Sequence, residues 1–194
     1  MISFNIFIGL ILGLLFFLIR LPYYIIKRKF FNWQKAVFEI ILGVYIVCLI
    51  GVTLLPIPFD NSDPLVRMYP EKDNYIPFFS IYTTATQAVS PTIAIKQILG
   101  NLVMLMPLGV ILPFISKKIK QSVTRAVFIG FLVSLSIELL QIFVSLLINY
   151  KYRSFDVDDI ILNTLGSFLG TLLFKLIYPY IIEHYQAIHH TGSN

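Results

Sequence analysis

Glu138 is the residue whose type and position could most directly support chemistry in this sequence. It is the only ionisable residue in the apolar stretch Ala126–Ile148, where a charge would cost about a few kcal/mol if the stretch spans a membrane. A helix would place Ser134, Glu138 and Gln141 on one face. We expect an unpaired Glu138 to be protonated at neutral pH, because apolar surroundings disfavour the charged form. Such a group could act as a general acid or base, or it could be a hydrogen bond that ties two helices together.

A second group of polar residues leads directly into the last apolar stretch of the chain. Asp156, Asp159 and Asn163 recur at helical spacing and therefore share one face. The carboxylates of Asp156, Asp158 and Asp159 could hold Mg²⁺ or Ca²⁺ through oxygen ligands, and Arg153 could bind a phosphate or carboxylate. Aspartates also cap helix N-termini. Three acids with an arginine exceed what capping alone requires.

Two further features concern helix packing and helix shape. Gly166 and Gly170 form a GxxxG pattern, which allows close helix packing and makes an oligomer through this face possible. Pro107 and Gly109 should kink their apolar stretch and free backbone carbonyls that a neighbour or a ligand must satisfy. Asn101 lies near the start of the same stretch, on the same predicted side as the acids.

The loop between residues 56 and 97 contains a short motif followed by a diluted apolar stretch. Asn74, Pro77 and Phe78 form an Asn-x-x-Pro-Phe element in which the proline favours an extended entry, and a plain turn is its simplest interpretation. Phe78–Ile95 is apolar but is interrupted by serine, threonine and glutamine. We interpret it as an interfacial or re-entrant segment.

The composition indicates which elements must position these residues. The chain of 194 residues is 57% hydrophobic and 13% charged, whereas soluble domains carry roughly 25% charged residues. An ordinary soluble enzyme is therefore excluded, and a single cysteine, Cys48, excludes a disulfide framework. We predict an all-α integral membrane protein, a single membrane domain over 1–194 with a flexible cytoplasmic tail at 183–194.

About five stretches have the length of a transmembrane helix, and they are continuously apolar rather than alternating, which favours one helix bundle over a β-barrel. The predicted spans are Ile2–Ile19, Ala36–Leu55, Ile98–Ile115, Ala126–Ile148 and Ile160–Ile182.

The distribution of charge predicts the orientation in the membrane. Five basic residues and no acid separate the first two spans, and four basic residues and no acid separate the third and fourth. By the positive-inside rule these loops are cytoplasmic. The N-terminus and the loops Pro56–Gln97 and Asn149–Val157 are then outside, and the C-terminus is inside. The net charge of +5 thus reflects topology, and we expect no nucleic-acid partner.

Helix geometry predicts how deep the polar residues lie. Glu138 is roughly 15 Å below the outer end of its predicted span, and Asn163 is only about 5 Å inside its own. We therefore expect a polar funnel that opens outward with Glu138 at its floor, rather than one compact cluster. We also expect Asp159 and Asn163 to contact the Glu138 helix and Ser167 to point elsewhere.

These motifs together resemble the VanZ-like family of small bacterial membrane proteins. The resemblance covers roughly residues 44–176, and its motifs are Asn74–Phe78, Asn101–Pro113, Ile137–Gln141 and Arg153–Gly166. The connection before Arg153 is longer than expected for the family. The resemblance implies a bacterial cell-membrane protein connected with resistance to the lipoglycopeptide teicoplanin, and it implies no established reaction.

Three functions are compatible with these residues. The first is binding of a lipid-linked cell-envelope precursor or a lipidated glycopeptide antibiotic at the outer leaflet. The second is a membrane-embedded hydrolase or transferase that acts on a lipid phosphate with Glu138 as acid or base. The third is a small transporter or flippase, against which the absence of an internal repeat argues.

Overall fold

The computed structural model describes residues 18, 33–55, 57, 72–88 and 90–190. Four segments of the described residues are long and apolar enough to cross a membrane, which confirms the all-α multi-pass prediction. They correspond to the last four predicted spans, and the first, Ile2–Ile19, lies outside the described residues apart from Leu18. The helices are α1 (Trp33–Leu54), α2 (Phe79–Gln87), α3 (Pro91–Met104), α4 (Met106–Ile115), α5 (Lys117–Lys120), α6 (Val123–Leu147) and α7 (Val157–His190).

The last helix extends further than the predicted fifth span. Its membrane-spanning part is Val157–Tyr180, and the helix continues to His190. Most of the predicted tail at 183–194 is therefore helical. The flexibility of that tail and the single domain over 1–194 stay predictions.

The third predicted span is broken in the middle, as Pro107 led us to expect. Leu105 separates α3 from α4 with φ −97° and ψ 3°, because a proline lacks an N–H and its ring clashes with the preceding turn. The carbonyl of Met104 accepts a hydrogen bond of 2.8 Å from the Tyr45 hydroxyl of α1. A neighbouring helix thus satisfies a carbonyl beside the break. The span begins at Pro91 rather than at Ile98, since proline is well suited to the first turn of a helix.

The short helix α2 does not span the membrane. Its nine residues extend only about 13 Å, less than half of a hydrocarbon layer roughly 30 Å thick. Tyr75, Phe79 and Tyr82 in and before it are exposed, and aromatic side chains of this kind are typical of the membrane–water interface. The length and exposed aromatic residues of α2 fit the interfacial interpretation of residues 78–95, which stays a prediction, whereas residues 91–95 belong to α3.

Helix α7 is the centre of the bundle. In the most apolar part of each spanning segment, 44% of the α7 residues are buried, against 22–28% in the other three segments. Helix α7 packs on α3, α4 and α6. A Cβ added at Gly166 or Gly170 would overlap the carbonyl oxygen of Leu102 or Met106. The GxxxG face is thus covered by this chain's own helices. An oligomer through that face stays a prediction.

The basic turn α5 lies at the end of the bundle opposite the first turn of α7. Phe114, near the end of α4, packs against Phe174 and Tyr178 of α7, and the Lys120 ammonium lies 3.6 Å from the centre of the Tyr178 ring. The lysines of α5 are therefore a full helix length away from the aspartates that open α7.

We expect α2 to face the outside of the cell and α5 the cytoplasm. In a chain with Cys48 replaced by alanine, a cysteine at Thr86 should react with a membrane-impermeant maleimide in intact cells. A cysteine at Ser116 should react only after permeabilisation. Labelling of the Ser116 position in intact cells would reverse the orientation and move the site described below to the cytoplasmic side.

Candidate functional site

The first turn of α7 lies deeper in the bundle than the nearby ends of α3 and α6. Glu138 precedes the end of α6 at Leu147 by nine residues, roughly 13 Å along the helix. Asn101 lies ten residues after the start of α3 at Pro91, roughly 15 Å. Both residues interact with the segment that opens α7, so that segment is recessed among longer helices. We call Glu138 with Arg153, Asp156, Asp158 and Asp159 the recessed site.

Glu138 is joined directly to the start of α7. Its side chain is buried at 2% exposure, and its Oε2 accepts a hydrogen bond of 3.0 Å from the Asp156 backbone N–H. Asp156, Asp159 and Arg153 are all close enough to interact with it electrostatically. The prediction that depth separates Glu138 from the aspartates was wrong, because the loop after α6 folds back toward the membrane interior before α7 begins.

Asn74 holds that loop in its recessed position. Its backbone forms a parallel bridge with Asp156, in which the Asn74 N–H donates to the Phe155 carbonyl at 2.7 Å and its carbonyl accepts from the Val157 N–H at 3.0 Å. The side-chain Nδ2 donates to Asp156 Oδ1 at 2.8 Å, and Oδ1 accepts from the Ile76 N–H at 3.0 Å. The Asn-x-x-Pro-Phe element is therefore more than a plain turn, because it is paired with the segment that opens α7.

Asp158 caps a helix distant in sequence. Its carboxylate, 1% exposed, accepts hydrogen bonds from the backbone N–H groups of Phe78 at 2.5 Å and Ile81 at 3.1 Å. Phe78, the residue before α2, has a left-handed backbone with φ 67°. A carboxylate at a helix N-terminus satisfies N–H groups that lack partners inside the helix. Asp158 thus fastens α2 to α7. Sequence reasoning missed this role because the two segments are about 80 residues apart.

Asp156 is the cap of α7 itself. Its Oδ1 accepts from the Asp158 N–H at 2.9 Å, the usual pattern of an N-cap aspartate. Among the residues that the structure describes, no three His, Cys, Asp or Glu side chains are arranged to hold a metal ion. The suggested Mg²⁺ or Ca²⁺ ligation by Asp156, Asp158 and Asp159 stays a prediction.

Asp159 and Asn163 link α7 to two different helices. Asp159 accepts a hydrogen bond from the Asn101 amide of α3, and Asn163 Nδ2 donates to the Ser134 hydroxyl of α6 at 3.0 Å. The expected contact of Asn163 with the Glu138 helix is therefore confirmed. We had expected Ser167 to point away from the Glu138 helix, α6. That expectation was wrong, because Ser167 is fully buried against Gly130 of α6.

Gln141 does not join the recessed site. Its Nε2 donates to the carbonyl of Thr53 at 2.9 Å, and the Tyr152 hydroxyl donates to the next carbonyl, that of Leu54, at 3.3 Å. Both carbonyls belong to the last turn of α1, where helix carbonyls lack partners inside the helix. In this structure Gln141 fastens α1 to α6.

The two basic residues of the loop before α7 have different surroundings. The Lys151 ammonium lies 2.9 Å from the Asp73 carboxylate, and this hydrogen bond holds the pKa of Asp73 below its ordinary value. Arg153 is half-buried, and within the described part of the chain its guanidinium has no hydrogen bond or ion pair. Arg153 is therefore the basic side chain of this loop that is left to bind an anion.

Comparison with known proteins assigns the chain to a family. Residues 42–178, more than two thirds of the chain, match the family model described as VanZ/LLP1. That range includes the Asn74 element, both halves of the broken span, Glu138 and all but the last two residues of the spanning part of α7. Searches of curated proteins and of solved structures found no match. The chain therefore belongs to the VanZ/LLP1 family, as the order of its motifs predicted.

Proposed function

We propose that this membrane protein binds a lipid-linked molecule with an anionic group, such as a cell-envelope precursor or a lipidated glycopeptide of the teicoplanin type, at the outer leaflet. The observation that carries the proposal is Arg153. Arg153 is half-buried and close enough to Glu138 to interact with it electrostatically, and its guanidinium has no ion pair with a described residue. A guanidinium binds phosphate and carboxylate groups through two parallel hydrogen bonds.

The surroundings of the recessed site suit a ligand that remains anchored in lipid. The parts of α3 and α6 that extend beyond the first turn of α7 expose large apolar side chains, including Leu99 on α3 and Phe143 and Leu147 on α6. Acyl or prenyl chains would contact these residues while the polar group reached Arg153. Resistance to teicoplanin would follow if the protein sequestered the antibiotic or its lipid-linked target.

The proposal predicts that an anionic lipid binds through Arg153. The purified full-length protein in nanodiscs should retain a polyprenyl phosphate in native mass spectrometry, and Arg153→Gln should lower the affinity roughly tenfold or more, as expected for loss of a charge-assisted hydrogen-bond pair. Arg153→Lys should recover only part of the affinity, because an ammonium cannot form the paired bonds.

Lys151→Gln is the matched control, since Lys151 lies two residues away in the same loop and already pairs with Asp73. We expect this variant to bind within about twofold of the parent chain. Equal losses for Lys151→Gln and Arg153→Gln would indicate a general charge effect and contradict the proposal.

A second candidate function is hydrolysis or transfer at a lipid phosphate with Glu138 as acid or base. One observation favours it, namely that Glu138 contacts the segment that opens α7. From the sequence we had expected Glu138 and the aspartates to lie at different depths, and this objection to an enzyme no longer applies. A general acid or base must lie within hydrogen-bond reach of the reacting group, and a phosphate bound at Arg153 would lie close to Glu138.

Replacing Glu138 with glutamine separates a chemical role from a structural one. The glutamine carbonyl can still accept from the Asp156 N–H, so we expect expression and thermal stability to change little. Teicoplanin resistance, or any turnover of a lipid phosphate, should be lost if the carboxyl group must ionise or transfer a proton. A Glu138→Gln protein that is both stable and fully active would show that the residue is only a hydrogen-bonding tie.

A further inference from the structure

A narrow polar cleft lies between α2, α3 and α7, on the side of α7 that faces Asn101. It is lined by residues of all three helices and has room for roughly one water-sized group. In a bundle whose outer surface is mostly apolar, six of the nine residues that line it are polar. The cleft comprises Ser80, Ile81, Thr84, Gln97, Ile98, Asn101, Asp158, Asp159 and Leu162.

The hydroxyl groups of α2 that line the cleft differ in their hydrogen bonds from those that do not. Thr83 and Thr86, which do not line it, donate to carbonyls of their own helix at 2.9 and 2.7 Å. Within the described residues, the side chains of Ser80 and Thr84 have no hydrogen-bond partner, and neither does that of Gln97 across the cleft. Ser80 and Thr84 are half-buried and Gln97 is exposed, so three polar side chains that line the cleft keep hydrogen-bonding capacity.

The charge of the cleft excludes an anion. Its two ionisable lining residues are Asp158 and Asp159, and no basic side chain lines it. The Asp158 oxygens already accept N–H groups of the α2 region, and Asp159 accepts from Asn101. The groups that remain are hydroxyls and an amide, each able to donate and to accept. This combination suits a neutral hydroxyl group, which also donates and accepts.

We propose that this cleft binds a hydroxyl group of a lipid's sugar headgroup. The proposal rests on the proposed function, since it names a second polar group of the same lipid-anchored ligand. Tyr82, Ile95 and Leu99 lie within two residues of lining residues in sequence. They are exposed and offer an apolar surface for the lipid chain.

The test compares lipids that differ only in the sugar. The full-length protein in nanodiscs is titrated with monoglucosyl diacylglycerol and with diacylglycerol, and retention is measured by native mass spectrometry. We expect the glucosyl lipid to bind more tightly. Thr84→Val and Gln97→Met should each reduce that binding about five- to tenfold, the loss expected for one hydrogen bond. Thr86→Val and Gln87→Met, matched changes outside the cleft, should stay within about twofold.

Each result supports or overturns the inference. Equal binding of the two lipids, or equal losses in the cleft variants and their controls, would overturn it. If polyprenyl phosphate still binds in an Arg153-dependent manner in that case, the proposed function stands and the assignment of the cleft fails. If polyprenyl phosphate binding does not depend on Arg153 but the glucosyl lipid binds through Thr84, the cleft is a binding site and the proposed anionic ligand fails.

Discussion

Alanine at Gly166 or Gly170 is expected to prevent stable assembly of the bundle. At each position the new Cβ would overlap a backbone carbonyl oxygen, that of Leu102 or that of Met106. Backbone atoms cannot move aside as the end of a flexible side chain can, so α7 would have to separate from α3 and α4. Overpacking usually costs about 1–3 kcal/mol, and we expect these two variants to reach or exceed the upper value.

The measurement is the yield of monodisperse protein in detergent together with its thermal midpoint. Gly100→Ala is the matched control, because nothing lies within 4 Å of a Cβ at that helical position. Alanine there should be neutral or stabilising by up to about 1 kcal/mol, since glycine is a poor helix former. Only the Gly166 and Gly170 variants should therefore lose stability. Normal midpoints for Gly166→Ala and Gly170→Ala would contradict the close packing of α7.

Asp158→Asn is expected to release α2 from the bundle. The carboxylate accepts from two backbone N–H groups, those of Phe78 and Ile81, and from the Asn74 amide at 3.4 Å. An asparagine of the same shape would place an NH₂ group against at least one of these donors. Hydrogen bonds to charged groups contribute about 1.5–3 kcal/mol each, so a local loss on the order of 3 kcal/mol is expected.

Hydrogen exchange in nanodiscs would measure this effect directly. The amides of α2 should lose protection, while those of α6 and of the spanning part of α7 should keep it. Asp73→Asn is the control, because Asp73 lies in a partly exposed ion pair with Lys151, and such pairs contribute only about 0–1 kcal/mol. Unchanged protection of α2 in Asp158→Asn would mean that other contacts hold α2 in place.

The fold could be predicted from the sequence where the chain meets lipid. Continuous apolar stretches predicted the described spans, and Pro107 predicted the break between α3 and α4, because both effects are local. The start of α3 at Pro91 was missed. The stretch before Ile98 is diluted by polar residues, and Gln97 among them lines the cleft.

The site could be predicted in its residues but not in its arrangement. The spacing correctly placed Asp159 and Asn163 on one helix, and Asp156 is the cap of that helix. The predicted depth of Asp156 in the bundle was wrong, because that depth depends on pairing with Asn74, which lies 82 residues away. No local pattern reveals such a contact. For the same reason the sequence suggested Asp158 as a metal ligand or as a cap of its own helix, and did not reveal that it caps α2.

The recessed start of α7 also determines how the membrane voltage acts at this site. A charge that moves from the end of α6 to the level of Glu138 travels roughly 13 Å through a hydrocarbon layer about 30 Å thick. One elementary charge that crosses the whole layer gains or loses about 2.3 kcal/mol per 100 mV. At this depth the electrical work is therefore on the order of 1 kcal/mol per 100 mV, a severalfold change in affinity between energised and depolarised cells.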